Sequence, residues 1–144
     1  MTTKFILPAI CFLLLCSCTM KPEAINYGKA HCHFCEMTIV DQNHASFYRT
    51  KKGKQFNFDS IECMINELKS QDEKSLSVIQ VAHFGTSNQF MDAKTSSYLV
   101  SSAIKSPMGE NLSAFGTLAE AQKMQSENGG EIFTWQEIIE KIKN

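Results

Sequence analysis

The N-terminal segment constrains this chain most, because it indicates where the folded part begins and in which compartment it folds. Lys4 precedes an apolar run over residues 5–15 that only Pro8 interrupts. This run has the length of a signal-peptide core and is shorter than the ~20 apolar residues that cross a bilayer. It ends at residues 15–18 in the sequence LCSC. That ending matches a bacterial lipobox, in which the last cysteine receives a lipid.

We therefore predict a lipoprotein signal peptide over residues 1–17 and a lipid on Cys18. The mature chain would be held on the extracytoplasmic (periplasmic) face of a bacterial membrane. Residues 18–29 are polar and contain Pro22, which is typical of a tether between a lipid and a domain. A cleaved secretory signal without a lipid is the alternative. Removing residues 1–17 leaves 127 of the 144 residues, enough for one domain with a modest core.

The charge of the mature chain excludes some partners. The formal net charge of −1 becomes −2 once Lys4 leaves with the signal peptide. A weakly acidic chain is not expected to bind nucleic acid, nor to hold anionic lipid head groups through a polybasic segment. The covalent lipid on Cys18 would then provide the membrane attachment, since attached acyl chains can anchor a protein stably in a bilayer.

Three cysteines remain for the folded domain. Of the six in the chain, Cys11 and Cys16 leave with the signal peptide and Cys18 carries the lipid. The other three are Cys32, Cys35 and Cys63. An odd number of thiols cannot form a fully paired disulfide framework. Either one thiol is left over, or the cysteines serve a purpose that needs thiolates.

The pattern of apolar residues and turn signals predicts an α+β fold with two small halves, over about 30–70 and 76–144. Each half has short antiparallel strands followed by a helix, and the halves pack together. In the first half, Asp59 and Glu62 read as a capping box that opens a helix. In the second half, Thr117 with Glu120 and Thr134 with Glu137 open two more helices. Strands are predicted over residues 37–40, 45–50, 55–58, 76–84, 89–93, 98–103, 113–115 and 131–133.

The sharpest local feature is Cys32-x-x-Cys35-x-Met37. A Cys-x-x-Cys pair brings two sulfurs to one point, and in an extended segment Met37 lies on the same face as Cys35. Two thiolates with a thioether form a soft donor set, which favours Cu(I). His31 and His33 add nitrogen donors beside the cysteines, and Met108 lies in a loop between proline and glycine, from which it can reach a metal.

Other readings of these cysteines stay open on spacing alone. Cys32 and Cys35 can form a disulfide, act as a redox pair, or supply half of a structural zinc site that Cys63 and a histidine close. Cys63 is also the kind of small residue that packs in a core. No GxSxG, Walker, HExxH or dinucleotide motif occurs. We therefore expect a binding protein and not an enzyme.

The chain resembles the NosL family of copper-chaperone lipoproteins, which serve the maturation of nitrous oxide reductase. The family pattern has glycine where this chain has Glu36, and tryptophan where it has Phe90. The first departure bears on the shape of the cysteine loop and the second on packing. The matching pieces, in the family's order, are Cys18, residues 32–37 (CHFCEM), 58–64 (FDSIECM), 107–109 (PMG) and 121–134 with its Gly-Gly pair.

The resemblance implies a NosL-like copper-binding domain over residues 30–144, in a fold similar to that of organomercurial lyase. It implies one Cu(I) per chain, with Met37 and Met108 as ligands and Cys32 and Cys35 as thiolates. The partners it implies are nitrous oxide reductase or its assembly machinery, and the membrane through Cys18. Which of these four residues and the neighbouring histidines bind together stays open at this point.

Overall fold

The computed structural model describes residues 21–143, so the predicted signal peptide and the lipid site at Cys18 lie outside the described residues. The described part has two antiparallel sheets and three α-helices, which confirms the α+β prediction. The strands are β1 (Ser46–Thr50), β2 (Gln55–Phe58), β3 (Leu76–Ala82), β4 (Phe90–Asp92), β5 (Ser97–Val100), β6 (Leu112–Phe115) and β7 (Glu131–Phe133). The helices are α1 (Ile61–Leu68), α2 (Leu118–Asn128) and α3 (Trp135–Lys143), with a 3₁₀ turn at Glu73–Ser75.

The larger sheet has the order β2-β1-β3-β4, and the smaller has the order β6-β5-β7. The sheets divide the chain at a different point from the halves predicted from the sequence. Strands β3 and β4 were expected in the second half, but β3 pairs with β1 from Ser46 to Thr50 and so lies in the first sheet. This pairing gives β1 a neighbour on both sides and buries its apolar face. The first structural unit therefore runs to about residue 92.

Two predictions about local structure need correction, and a third is confirmed. The predicted strand over residues 37–40 is reduced to one isolated bridge, between His31 and Thr38. The predicted capping box of Asp59 and Glu62 is absent, since Ser60 is the N-cap of α1 and accepts a hydrogen bond from the Cys63 backbone N–H. The capping boxes that open α2 and α3 are confirmed by reciprocal hydrogen bonds of Thr117 with Glu120 and of Thr134 with Glu137.

Both sheets contribute to one main core, which places α1 between them. Helix α1 buries Ile61, Cys63, Met64 and Ile65 completely, against side chains of both sheets and of α3. A smaller cluster around Leu99, Phe115 and Ala121 lies under α2. Because α1 is held from all sides, its first turn is a rigid support for side chains that project from it. Within residues 21–143, none of the helices combines the length and the apolar composition that a membrane span needs.

Candidate metal centre

The segment that carries Cys32 and Cys35 is a tight loop closed by its own backbone. The Cys32 N–H donates to the Met37 carbonyl over 2.8 Å, and the Glu36 N–H donates to the Cys32 carbonyl over 2.9 Å. Closing this loop requires a left-handed backbone at Glu36, where φ is 64°. Glycine adopts that conformation without strain, which explains why the family pattern has glycine there. Glu36 is therefore accommodated in this loop at a cost in backbone strain.

The start of α1 brings a second pair of side chains to this loop. The His33 N–H donates to the Asn57 carbonyl over 2.9 Å, which fixes the loop against β2 two residues before Asp59. Ser60 then caps α1, and its carbonyl accepts a hydrogen bond from the Ser46 hydroxyl over 3.0 Å. Asp59 directly precedes this cap and Cys63 lies in the first turn of α1, and the structure brings both side chains to the same side of the helix start.

Four side chains meet there: Cys32, Cys35, Asp59 and Cys63. Their sulfur and carboxylate oxygen atoms all lie within 4.8 Å of one another, a spacing that one metal ion can bridge. The Cys35 thiol donates to Asp59 Oδ2 over 3.5 Å, while Asp59 Oδ1 is buried without a hydrogen-bond partner. Asp59 and two cysteines are buried, and Cys35 alone is partly exposed. A buried carboxylate oxygen without a partner needs an explanation, and a bound cation supplies one.

Mutual hydrogen bonding divides the three thiols by acidity. The hydrogen bond from Cys63 lowers the pKa of Cys32 to about 6, against burial, which raises it. The same bond, together with burial, raises the pKa of Cys63. Burial raises the pKa of Cys35 to about 11. At neutral pH the cluster therefore holds one thiolate, on Cys32, and two thiols.

The two histidines of the motif lie beside this cluster and not in it. The His33 ring packs on the Phe56 ring with centroids 4.5 Å apart, and its Nε2 is 3.9 Å from a Glu67 carboxylate oxygen. His31 Nδ1 lies 3.2 Å from the Glu36 carbonyl. Both line an open pocket of about 380 Å³ that reaches Cys32. They are placed to border the approach to the thiols.

The two predicted methionine ligands are both at the surface. The Met37 side chain is 54% exposed, at the end of the cysteine loop, and its backbone N–H donates to the Cys35 sulfur. The Met108 side chain is 40% exposed, in the loop between β5 and β6. That loop is tied to α1 by the buried carboxylate of Glu62, which accepts hydrogen bonds from the Ser106 hydroxyl and the Leu112 N–H.

Sequence reasoning missed two members of the cluster, Asp59 and Cys63. Asp59 was assigned to a capping box, and Cys63 was considered only as a core residue or as part of a zinc site. The i, i+4 spacing of helices gave no signal here, because Asp59 precedes the extended N-cap Ser60 and lies outside α1. The sequence alone did not show that this helix start faces the cysteine loop.

Comparison with known proteins identifies the fold and the family of the chain. The fold is similar to the crystal structure of the copper chaperone NosL from Shewanella denitrificans, with a TM-score of 0.70 and 22% identity, covering 81% of this chain and 94% of that chain. None of the curated proteins compared with the chain matches it. The sequence model of the NosL family matches residues 24–142, nearly the whole of the described part. The chain therefore belongs to the NosL family.

Proposed function

We propose that this protein is a lipid-anchored, extracytoplasmic copper chaperone that binds Cu(I) and delivers it for assembly of the copper–sulfur cluster of nitrous oxide reductase. One observation carries the metal-binding part: Cys32, Cys35 and Cys63 converge with Asp59 within 4.8 Å. Membership of the NosL family supports the chaperone role, as does the fold shared with a copper chaperone of Shewanella denitrificans. The anchor is proposed from the lipobox that ends at Cys18.

Sulfur is the reason to favour Cu(I) as the cargo. A site with two or three thiolates binds soft Cu(I) more strongly than it binds harder divalent ions. Cys32 already carries a thiolate at neutral pH, since its pKa is about 6, so an arriving ion meets a charged sulfur first. Binding of the ion then displaces protons from the neighbouring thiols. No oxidation or reduction of the chain is needed for this step.

Delivery requires that a recipient ligand can enter before the donor ligands leave. The cluster is open on the side of Cys35, whose sulfur accepts a hydrogen bond from the Met37 backbone. We propose Met37 and Met108 as thioether ligands that close on the ion from this open side and move away during transfer. A thioether is uncharged and binds without releasing a proton, so it leaves more readily than a thiolate. This arrangement fits a carrier that binds its cargo and does not transform it.

Asp59 favours a second candidate, a structural zinc-binding module. Three thiolates and one carboxylate form a four-ligand set that Zn²⁺ accepts in tetrahedral geometry. The two candidates separate in an anaerobic competition on the reduced protein. A copper chaperone retains one Cu(I) against a tenfold excess of Zn²⁺, whereas a zinc module retains Zn²⁺ and unfolds when a chelator removes it.

The function itself is tested in a host that makes nitrous oxide reductase. The chromosomal copy is replaced by the Cys32→Ser/Cys35→Ser/Met37→Leu variant, or by Met91→Leu as a control that changes a sulfur on β4, outside the cluster. Under copper limitation, we expect the triple variant to leave the reductase present but short of copper, and added copper to restore it in part. Circular dichroism of the purified variant establishes first that it is folded. A reductase with its full copper complement in that strain would refute the proposed function.

A further inference from the structure

The hairpin that joins β1 to β2 carries a cluster of exposed lysines. Its turn, residues 50–54, has the sequence TKKGK and contains no acid. The side chains of Lys51, Lys52 and Lys54 are all exposed. With Thr50, Phe56 and Ser75 they line an open groove of about 570 Å³. The Lys54 ammonium lies 4.6 Å from the centre of the Phe56 ring, so the groove combines cationic groups with an apolar wall.

Hydrogen bonds hold the beginning of the described chain beside this hairpin. Arg49 at the end of β1 donates to the Lys21 carbonyl over 3.1 Å. The Glu23 N–H donates to Gln55 Oε1 over 3.0 Å, and Gln55 returns a bond to the Glu23 carbonyl over 2.8 Å. Lys21 is exposed and adds to the positive charge of this region. The chain therefore enters the domain at the hairpin.

This attachment limits the distance between the hairpin and the proposed lipid on Cys18. Cys18 precedes Lys21 by three residues, which span at most about 11 Å when fully extended. The Debye length at physiological ionic strength is about 8 Å, which is of the same order, so the tether lets the charges of the hairpin come within the range of a charged bilayer surface. A domain attached at this point stays close to the membrane.

The neighbouring acids do not cancel the positive charge. Glu73 lies in the same 3₁₀ turn as Ser75, whose carbonyl accepts a hydrogen bond from the Lys51 N–H. The Glu73 carboxylate is paired with the Lys94 ammonium over 3.1 Å. Asp72 caps the same turn by accepting from the Lys74 N–H over 3.0 Å, and it keeps its negative charge. Glu23 and Glu36 flank the region on neighbouring segments. They leave a surplus among the basic side chains, which are Lys21, Arg49, Lys51, Lys52 and Lys54.

We infer that this hairpin is a membrane-docking surface that rests on anionic phospholipid head groups and orients the domain on the bilayer. The inference rests on the proposed anchor at Cys18 and is independent of copper. The net charge of −2 argued against such a contact, but the sum conceals a local surplus at the point where the chain meets the membrane. Lys54 lines both the groove and the pocket that reaches Cys32, so docking holds that pocket close to the membrane surface.

The test uses the mature chain from residue 18 with Cys18→Ser, so that no lipid contributes to binding. Co-sedimentation with vesicles of phosphatidylglycerol and phosphatidylcholine, against phosphatidylcholine alone, is measured at low and at high salt. The variant Lys51→Gln/Lys52→Gln is compared with Lys105→Gln/Lys123→Gln, which removes the same charge from exposed positions elsewhere. Circular dichroism confirms that both variants are folded.

We expect binding to the anionic vesicles only, and weaker at high salt. A lysine near a charged membrane contributes about fivefold in partitioning, so the hairpin variant should bind about 25-fold more weakly and the control variant much less so. Equal binding by the two variants, or equal binding to both vesicle types, overturns the inference and makes an acidic protein surface the partner to examine. Loss of binding in millimolar inorganic phosphate at constant ionic strength also overturns it, since it indicates a single phosphate site.

This result is separable from the proposed function. The assay contains neither lipidated protein nor copper, so a negative result removes the docking surface and leaves the anchor and the metal site untouched. Conversely, absence of a lipid on the wild-type chain would remove the anchor while the vesicle measurement remained readable.

Discussion

The Ser106 hydroxyl donates a hydrogen bond to the buried carboxylate of Glu62, the residue directly before Cys63. Ser106 also accepts a hydrogen bond from the Asn111 N–H over 2.9 Å, so one hydroxyl closes the segment 106–111, which carries Met108. The loop and the cysteine cluster are therefore attached to consecutive residues of α1. A shift of this helix start would move both together.

Glu62→Ala should destabilise the fold by about 2–4 kcal/mol, because it leaves the Ser106 hydroxyl and the Leu112 N–H without their buried acceptor. Glu62→Gln keeps an oxygen acceptor and should cost about 1 kcal/mol or less at pH 5. Urea denaturation of both variants measures the difference. Equal stability of Glu62→Ala and the wild type would show that the carboxylate does not support the loop.

The wild type and the Glu62→Gln variant should respond differently to pH. Burial raises the pKa of Glu62, so the stability that its neutral form contributes is present below the unfolded-state pKa and is lost as pH rises through the folded-state pKa. Glu62→Gln does not titrate. Between pH 5 and pH 8, the free energy of unfolding of the variant should therefore improve relative to the wild type. A constant difference in the free energy of unfolding across this range would contradict a raised pKa for Glu62.

Copper affinity should depend on pH with a change of slope near pH 6. Above that pH, Cys32 is already a thiolate, so one fewer proton is released on binding than the number of coordinating thiolates. Below it, Cys32 must also lose a proton, and the logarithm of the affinity should fall more steeply by about one per pH unit. Competition with a Cu(I) chelator measures this under anaerobic conditions. Cys32→Ser should remove the change of slope, and Met37→Leu should keep it.

Replacing a thioether by an isosteric hydrocarbon isolates the role of the exposed methionines. Met37→Leu and Met108→Leu should each weaken Cu(I) binding about tenfold or more, without altering the number of protons released. Met91→Leu is the matched control and should bind as the wild type does. Since Met37 and Met108 are exposed, neither change should alter the free energy of unfolding by more than about 0.5 kcal/mol. Unchanged copper affinity in both variants would exclude them as ligands.

The cysteine loop offers a test of backbone strain. Glu36 has a φ of 64°, so Glu36→Gly should relieve strain and raise the free energy of unfolding by about 0.5–1 kcal/mol. Glu110→Gly removes the same charge from an exposed position where φ is not positive. This control should not raise the free energy of unfolding. Thermal unfolding of the two variants compares them directly. A less stable Glu36→Gly protein would show that the Glu36 side chain contributes more than its backbone costs.

Much of this architecture could be predicted from the sequence, and the successes are local. The capping boxes of Thr117 with Glu120 and of Thr134 with Glu137 identified two helix starts, because the motif lies within four residues. The Cys32-x-x-Cys35 pair is local in the same way, and both of its cysteines belong to the cluster that could hold a metal ion. Each of these signals needs no knowledge of the rest of the fold.

The failures concern residues whose roles depend on distant partners. Asp59 and Glu62 matched a capping pattern, yet Asp59 lies against Cys35 and Glu62 against Ser106, 24 and 44 residues away. The assignment of β3 to the second half failed because strand pairing is set by which edge of β1 is free. Residues 37–40 alternate like a strand, but their backbone bonds to the irregular segment 28–32, where the pairing amounts to one bridge between His31 and Thr38.

Three sulfurs in one cluster have a consequence for oxidative damage. Within one chain, three thiols can form only one disulfide, so whichever pair among Cys32, Cys35 and Cys63 is oxidised leaves a third thiol against the new bond. A thiolate next to a disulfide attacks it and shifts the bond to another pair. The oxidised protein is then a set of interchanging isomers, some of which place the disulfide at the partly exposed Cys35, where an external reductant can reach it. Two cysteines alone, both of them in the disulfide, would have lacked this internal route to repair.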